Sequence, residues 1–146
     1  MDAHRIFTPD EATALVPFLT FQFERLARLR AHVEAHLREL ARAGVQVDPA
    51  HPLESPCPAR LRPTLVRMVQ MVSEVQRIVT GINACGCLVK DLEQGLVDFH
   101  GVVDGEPVFL CWQFGEDAVR WYHPHEGGFA ARRPLEPEAL CQTLYN

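Results

Sequence analysis

Apolar residues in the first third of the chain recur at alternating spacings of four and three, with Arg30 as the one interruption. A heptad pattern of this kind predicts a long amphipathic helix with one apolar seam. We predict that this first helix spans residues 8–43. The seam consists of Ala12, Val16, Leu19, Phe23, Leu26, Val33, Leu37 and Leu40.

Both ends of the first helix carry recognisable signals. Thr8 is followed directly by Pro9 and, three residues after the cap, by Glu11, which is the pattern of a capping box with proline in the first turn. Gly44 stands where a left-handed residue is expected to close the helix. Pro17 lies beyond the first turn, so we expect it to kink the helix.

The same heptad spacing of apolar residues recurs after a proline-rich loop and predicts a second helix over residues 60–84. Two such helices can bury their seams against each other as an antiparallel hairpin. Further apolar residues lie outside both seams, so the helices carry more apolar surface than they can cover in each other. This surplus must meet the C-terminal half, a second chain or both, and it favours a homodimer. The second seam consists of Leu61, Leu65, Met68, Val72, Val75, Val79 and Ile82.

Beyond Gly86 the apolar period changes to two, which predicts β-strands over residues 96–103 and 106–114. Asp104-Gly105 between them is a strong two-residue hairpin turn. Counting back from this turn pairs Val97 with Trp112, Phe99 with Leu110, and Asp98 with Cys111.

A third strand is predicted over residues 119–123. Pairing Phe114 with Val119 would place Trp121 beside Trp112 and His123 on the apolar face next to Leu110. The opposite face would then carry polar side chains. A slip of one residue in this second turn would exchange the faces of Trp121 and Tyr122. The polar face predicted by this register consists of Asp98, His100, Cys111, Arg120 and Tyr122.

These elements predict an α+β fold: a long antiparallel helical hairpin of two heptad-patterned helices packed on a small antiparallel sheet of about three strands. The length of 146 residues suits a single domain over residues 1–146, with the sheet and its turns in residues 86–135.

Composition narrows the class of protein. Apolar residues make up 47% of the chain, and no apolar run approaches the roughly 18 residues of a membrane helix, so we expect no membrane partner. The N-terminal residues lack the order of a signal peptide, which favours the cytoplasm. Five unevenly spaced cysteines fit reduced thiols better than a disulfide framework.

The charge of the chain is unevenly divided. The formal net charge is −5, and the part from Ala84 onward holds four basic residues against ten acidic ones. An acidic region repels a phosphate backbone, which argues against nucleic acid as a partner of this region, and we expect none. Arginines on the first helix alternate with glutamates and are typical of a solvated, salt-bridged face.

The candidate ligand-binding residues are concentrated in the C-terminal half: Asp91, Asp98, Glu116, His123 and Arg132. A histidine with several carboxylates can bind a divalent metal or move protons, and Asp98, Glu116 and His123 are the candidate metal ligands. His125 and Glu126 could add to this set.

Each of these residues also has a structural interpretation. Asp91 could cap the turn after Lys90, and Glu116 could order the hairpin turn. Asp98 could be a solvent-facing strand residue paired with Arg120. Arg132 could pair with one of the carboxylates. No nucleophile elbow, phosphate loop or standard metal motif is present, so no catalytic residue is assigned.

Two further clusters are weaker candidates. His32, His36 and Glu39 share one helix face at metal-ligand spacing, but a solvated face is the simpler interpretation. Cys85 and Cys87 lie close together without the second cysteine pair or flanking histidine that a zinc site needs.

Short motifs distributed over nearly the whole chain carry a family resemblance: Phe7-Thr8, Glu11-Ala12, GCLVKDLE (86–93), GLVDF (95–99), LCW (110–112), GE (115–116), WYH (121–123), GF (128–129) and RRPL (132–135). Through these motifs the chain resembles a bacterial family defined only as a domain of unknown function. The resemblance implies no activity. Where similar sequences usually have proline after Val-Asp-Phe, this chain has His100, which implies that a shared function does not depend on His100.

These observations favour a noncatalytic cytoplasmic interaction or regulatory module, dimeric through its helices, whose acidic and aromatic sheet region recognises a small molecule or a protein partner. The alternative is a metal-assisted hydrolase in which Asp91, Asp98, Glu116 and His123 hold a divalent metal that activates water.

Overall fold

The heptad-patterned segments are helical and the segment beyond Gly86 forms an antiparallel sheet in the computed structural model of the protein, which describes residues 5–136. The fold is therefore of the mixed α+β class. Short 3-10 helical turns occur at Pro52–Glu54, Ala59–Leu61 and Phe129–Ala131. The helices are α1 (Pro9–Ala14), α2 (Val16–Arg42) and α3 (Arg62–Ala84), and the strands are β1 (Leu88–Asp91), β2 (Leu96–Val103), β3 (Glu106–Gln113), β4 (Trp121–His123) and β5 (Arg133–Pro134).

The predicted helix caps are confirmed. The Thr8 hydroxyl accepts a hydrogen bond from the Glu11 amide at 3.1 Å, and the Glu11 carboxylate accepts one from the Thr8 amide at 2.9 Å. At the other end, Gly44 has φ of 79°, and the Val45 amide donates to the Leu40 carbonyl at 2.9 Å. This is a Schellman closure, which satisfies carbonyls that the last helical turn leaves without partners.

The predicted first helix is divided at Leu15. Pro17 has no amide hydrogen to donate to the carbonyl four residues earlier, so the α-helical ladder cannot run unbroken through this turn. The Leu15 amide donates instead to the Ala12 carbonyl at 3.0 Å, which closes α1. The distortion that proline imposes thus falls two residues before Pro17 itself.

The sheet has the strand order β1-β2-β3-β4-β5, and each pair of neighbours is antiparallel. The prediction of about three strands was wrong, because β1 has four residues and β5 has two, too few to show an alternating pattern. The register of the β2–β3 hairpin is confirmed at every predicted pair. Asp104 and Gly105 both have positive φ, 52° and 78°, as a two-residue type I′ turn requires.

The predicted register of β4 was wrong by one residue. Trp121 pairs with Cys111, and His123 pairs with Phe109, so His123 lies on the polar face of the sheet. The reason is that Val119 does not continue the ladder: its amide donates to the Thr13 hydroxyl at 3.0 Å, and its side chain is buried. The strand therefore starts later than its apolar pattern suggests.

The other face of the sheet is apolar and forms the core of one compact unit, the sheet unit, which comprises residues 5–23 and 80–136 of the described chain. The Phe7 ring contacts Phe99 edge-on at a centroid distance of 5.0 Å, and the Phe23 ring lies 5.8 Å from Trp112. The Phe7 amide also donates to the His100 carbonyl at 2.7 Å. The buried side chains of this sheet face include Val97, Phe99, Leu110 and Trp112.

Residues 24–79 form the second compact unit, the helical unit, which contains most of α2 and α3. An ion pair of 2.7 Å joins Arg25 on α2 to Glu74 on α3. The seam positions Leu37 and Val72 remain exposed, at 43% and 39%. No helix within residues 5–136 combines the length and apolarity needed to cross a bilayer. The core of this unit is Leu40, Val45, Leu61, Leu65 and Met68.

Two glycine-to-alanine substitutions should have opposite effects on stability. A Cβ on the buried Gly101 would lie 2.7 Å from Cγ of Leu110, so Gly101→Ala should lower the free energy of unfolding by about 1–3 kcal/mol. A Cβ on the exposed helical Gly81 meets nothing within 4 Å, so Gly81→Ala should raise it by about 0.5–1 kcal/mol. Urea denaturation measures both; equal effects would contradict the close approach at Gly101.

Candidate functional site

Three buried polar groups meet on the polar face of the sheet, and each comes from a different strand. Asp98 on β2 is the cross-strand partner of Cys111 on β3, and His123 on β4 lies on the same face. Their exposed fractions are 4%, 1% and 3%. One ligand-type atom from each side chain lies within 4.8 Å of the other two.

The hydrogen bonds of His123 determine where its protons lie. Nδ1 is 2.8 Å from the Pro124 carbonyl, which only accepts, so Nδ1 carries a hydrogen. Nε2 is 3.0 Å from Oδ2 of Asp98, and a hydrogen bond there requires one proton between the two atoms. The pair therefore shares one proton and has no net charge, whether that proton resides on the carboxylate or on the ring.

Cys111 is a protonated thiol at neutral pH. Burial raises the pKa of the thiol to about 11, and the neighbouring Asp98 carboxylate acts in the same direction, while the Arg132 guanidinium opposes it. Both ring nitrogens of His123 are engaged with Pro124 and Asp98. His123 is therefore not free to act as a base toward the thiol.

A cavity of about 230 Å³ lies beside the three buried groups, which form part of its wall. Phe109 provides an aromatic surface: its ring centroid is 5.6 Å from that of His123 and 4.4 Å from that of His125. The Lys90 ammonium lies 5.2 Å from the centre of the same ring. Lys90 is the only lysine of the 146 residues, and the other thirteen basic residues are arginines.

The segment after β4 forms a further part of the cavity wall. The Gly127 amide donates to the Pro124 carbonyl at 3.0 Å, and a Cβ at Gly127 would lie 2.7 Å from Cβ of Ala131. Only glycine fits this close approach without displacing its neighbours. The turn carries Phe129 to the cavity.

Glu116 and Arg132 form a separate ion pair that organises the β3–β4 connection. A guanidinium nitrogen of Arg132 donates to Oε1 of Glu116 at 2.7 Å and to the Cys111 carbonyl at 3.2 Å. The same Oε1 accepts from the Gln113 amide at 2.6 Å, and Nε1 of Trp112 donates to the Glu116 carbonyl at 2.9 Å.

The structure therefore brings Asp98 and His123 together with Cys111, while Glu116 lies outside this cluster. Asp91 is also elsewhere: its carboxylate accepts from the Gln94 amide at 2.8 Å and orders the turn after β1. The structural alternative for Asp98, a solvent-facing residue paired with Arg120, was wrong, since Asp98 is buried against His123 and Arg120 pairs with Asp117.

Sequence reasoning missed two members of the site. Cys111 was placed opposite Asp98 by the hairpin turn, and that cross-strand pairing was the signal that could have included it among the ligands. The sequence signal for Lys90 was weaker: it is the only lysine in an arginine-rich chain. Its position beside the cavity depends on β1, a strand that the apolar pattern did not predict.

The chain belongs to the family described as "Uncharacterized conserved protein (DUF2203)", whose model matches residues 5–135. This confirms the resemblance to a domain of unknown function. No curated protein and no solved structure matches the chain.

Cys111 should resist alkylation in the folded, chelator-treated protein. With a pKa of about 11, roughly one thiol in a thousand is ionised at pH 8, and the thiolate is the reactive form. We expect iodoacetamide to modify the half-buried Cys57 at least about tenfold faster, as followed by peptide mass spectrometry. Asp98→Asn removes the carboxyl group that raises the pKa of Cys111 and should speed its modification. Equal rates for Cys57 and Cys111 in the native protein would contradict the protonated thiol.

Proposed function

We propose that this protein is a noncatalytic cytoplasmic regulatory module that recognises a compact anionic ligand in the sheet cavity. One observation carries the proposal. The buried Asp98, Cys111 and His123 side chains lie on a cavity wall, and the cation beside this cavity is Lys90.

The charges around the cavity favour an anion. Asp98 and His123 share one proton and cancel, and the Cys111 thiol is neutral, which leaves the Lys90 ammonium as the uncompensated charge of these four groups. A carboxylate or similar anion would gain a charge-assisted hydrogen bond to the ammonium. The aromatic ring of Phe109 beside Lys90 would pack against the apolar part of the same ligand.

The size of the cavity supports a small ligand. Its volume of about 230 Å³ lies below the range of roughly 300–1,000 Å³ that is usual for drug-sized molecules. A compact carboxylic acid with a flat apolar group fits both this volume and the aromatic wall.

Three features favour recognition over catalysis. A catalytic cysteine needs a lowered pKa and a neighbouring base, whereas burial raises the pKa of Cys111 to about 11 and the nitrogens of His123 are engaged elsewhere. Glu116, one of the carboxylates of the hydrolase alternative, is held by Arg132. Asp91, another, is held by the turn after β1.

The helical unit would provide assembly. We propose that α2 and α3 pair as an antiparallel hairpin, which the Arg25–Glu74 ion pair and the cluster around Leu65 support. A second copy of the chain is the proposed cover for the exposed seam residues Leu37 and Val72, because the same heptad spacing in both copies is self-complementary.

The single lysine allows a direct test of the anion site. Reductive methylation with ¹³C-formaldehyde labels Lys90 and the N-terminal amine, and the dimethylated Lys90 keeps its positive charge. We expect the Lys90 resonance to shift saturably when benzoate is added, because the carboxylate approaches the ammonium. Acetate should shift it more weakly, since acetate lacks the ring that packs on Phe109.

A matched pair of variants controls for general electrostatics. Lys90→Met and Arg133→Met each remove one positive charge from the sheet unit, but Arg133 lies on β5 and does not line the cavity. When fluorobenzoate binds the wild-type protein, its ¹⁹F signal should broaden. This broadening should be absent with Lys90→Met and present with Arg133→Met. Equal loss with both variants, or a Lys90 resonance that no carboxylate moves, would refute the proposal.

The assembly proposal predicts a particle of twice the 16.5 kDa chain mass by light scattering. Val72→Glu places a charge on the exposed helical seam and should yield the monomer. Val102→Glu, at a 52% exposed position on β2, makes the same chemical change in the sheet unit and should leave the dimer intact. A wild-type chain that runs as a monomer would rule the dimer out.

A further inference from the structure

We infer that Asp98, Cys111 and His123 form a binding site for a divalent transition-metal ion, zinc by ligand chemistry, with an open coordination position toward the cavity. The inference rests on the proposed function, because the metal would be the group to which the anionic ligand attaches. It replaces Glu116 of the sequence-predicted metal set with Cys111.

The arrangement of the three groups suits a tetrahedral ion. Bond lengths of about 2.0–2.2 Å to nitrogen and oxygen place two ligands of a tetrahedral zinc about 3.3 Å apart. The observed distance from Nε2 of His123 to Oδ2 of Asp98 is 3.0 Å, so an ion can replace the shared proton with a small displacement. The Cys111 sulfur lies within 4.8 Å of both atoms, on the same sheet face.

A second observation points independently to a metal ligand. Nδ1 of His123 donates to the Pro124 carbonyl at 2.8 Å, which fixes the ring orientation and directs Nε2 at the site. Histidines that bind metals almost always have such a partner on the other ring nitrogen, because it sets the tautomer and increases the basicity of the ligating nitrogen.

The donor set selects the ion. Thiolate and imidazole favour zinc and related borderline-soft metals, whereas magnesium and calcium prefer all-oxygen sites.

The charges of the ion and its ligands also balance. Binding of Zn²⁺ releases the proton shared by Asp98 and His123 and the thiol proton of Cys111, so the dication is offset by two anionic ligands. The buried wall remains uncharged, and Lys90 keeps its preference for an anion.

Three protein ligands leave one tetrahedral position open. Sites with three protein ligands keep a water or another small molecule in the fourth position. Since the three side chains line the cavity, that position is accessible to the compact anion of the proposed function. Within residues 5–136, Asp98, Cys111 and His123 are the one group of three metal-binding side chains close enough to share an ion.

Cobalt is the probe that tests this site, because a Co²⁺–thiolate bond gives a near-ultraviolet charge-transfer band and tetrahedral Co²⁺ gives visible bands. The untagged full-length protein would be treated with a chelator under reducing conditions and titrated with CoCl₂. We expect one equivalent to produce both sets of bands and one equivalent of ZnCl₂ to abolish them.

Matched variants assign the ligands. Cys111→Ser should abolish the charge-transfer band, whereas Cys85→Ser, which changes a half-buried thiol outside the cluster, should keep it. Asp98→Asn retains a hydrogen bond to His123 and should weaken cobalt binding at least about tenfold. Asp117→Asn, an exposed aspartate, should bind as wild type. Circular dichroism of each variant establishes that it is folded.

The outcomes separate the two proposals. Absence of a charge-transfer band in the wild type, or a band that depends on Cys85 rather than Cys111, would overturn the metal site. The benzoate shift of the Lys90 resonance, measured on chelator-treated protein, reports the anion site alone. A protein that binds benzoate but no cobalt would refute the metal inference and leave the proposed function standing.

Discussion

The hydrogen bond between Asp98 and His123 is the interaction on which the cavity depends. Burial of an ionisable side chain without a partner is costly, so each of these groups is tolerated in the sheet because the other satisfies it. The two residues come from β2 and β4, which are separated by β3. Their contact thus requires both strand registers to be correct at once, and it places the Cys111 side chain of the intervening strand in the same cluster. Loss of either register would leave a buried carboxylate or imidazole without its partner.

Features set by neighbouring residues could be predicted from the sequence. The capping box at Thr8, the Schellman glycine at Gly44 and the Asp104-Gly105 turn each depend on a few adjacent side chains, and each lies where the pattern placed it. The turn fixes the whole β2–β3 register, because antiparallel pairing from a two-residue turn leaves no freedom to slip. This is why Asp98 and Cys111 could be paired from the sequence alone.

Features set by distant contacts could not be predicted. The position of β4 depends on the hydrogen bond from the Val119 amide to the Thr13 hydroxyl, more than 100 residues earlier. No local sequence pattern predicts that bond. Its consequence is large, because a shift of one residue moves His123 from the apolar face to the side of Asp98. The role of Glu116 was ambiguous for a related reason. From the sequence, the Glu116 carboxylate could be interpreted as a metal ligand because histidines lie nearby in the chain. The fold shows that its partner is Arg132.

The neutrality of the buried wall connects the structure to its proposed role. A cavity lined by an isolated carboxylate would attract cations, and one lined by an activated thiolate would be reactive. Here the carboxylate is balanced by an imidazole, and the thiol is held in its protonated form by burial, which raises its pKa to about 11. The ammonium of the single lysine is then the charge that an approaching ligand meets beside Phe109. In the proposed metal site, an ion that replaces two protons would preserve this balance, so the wall would keep its proposed preference for an anion.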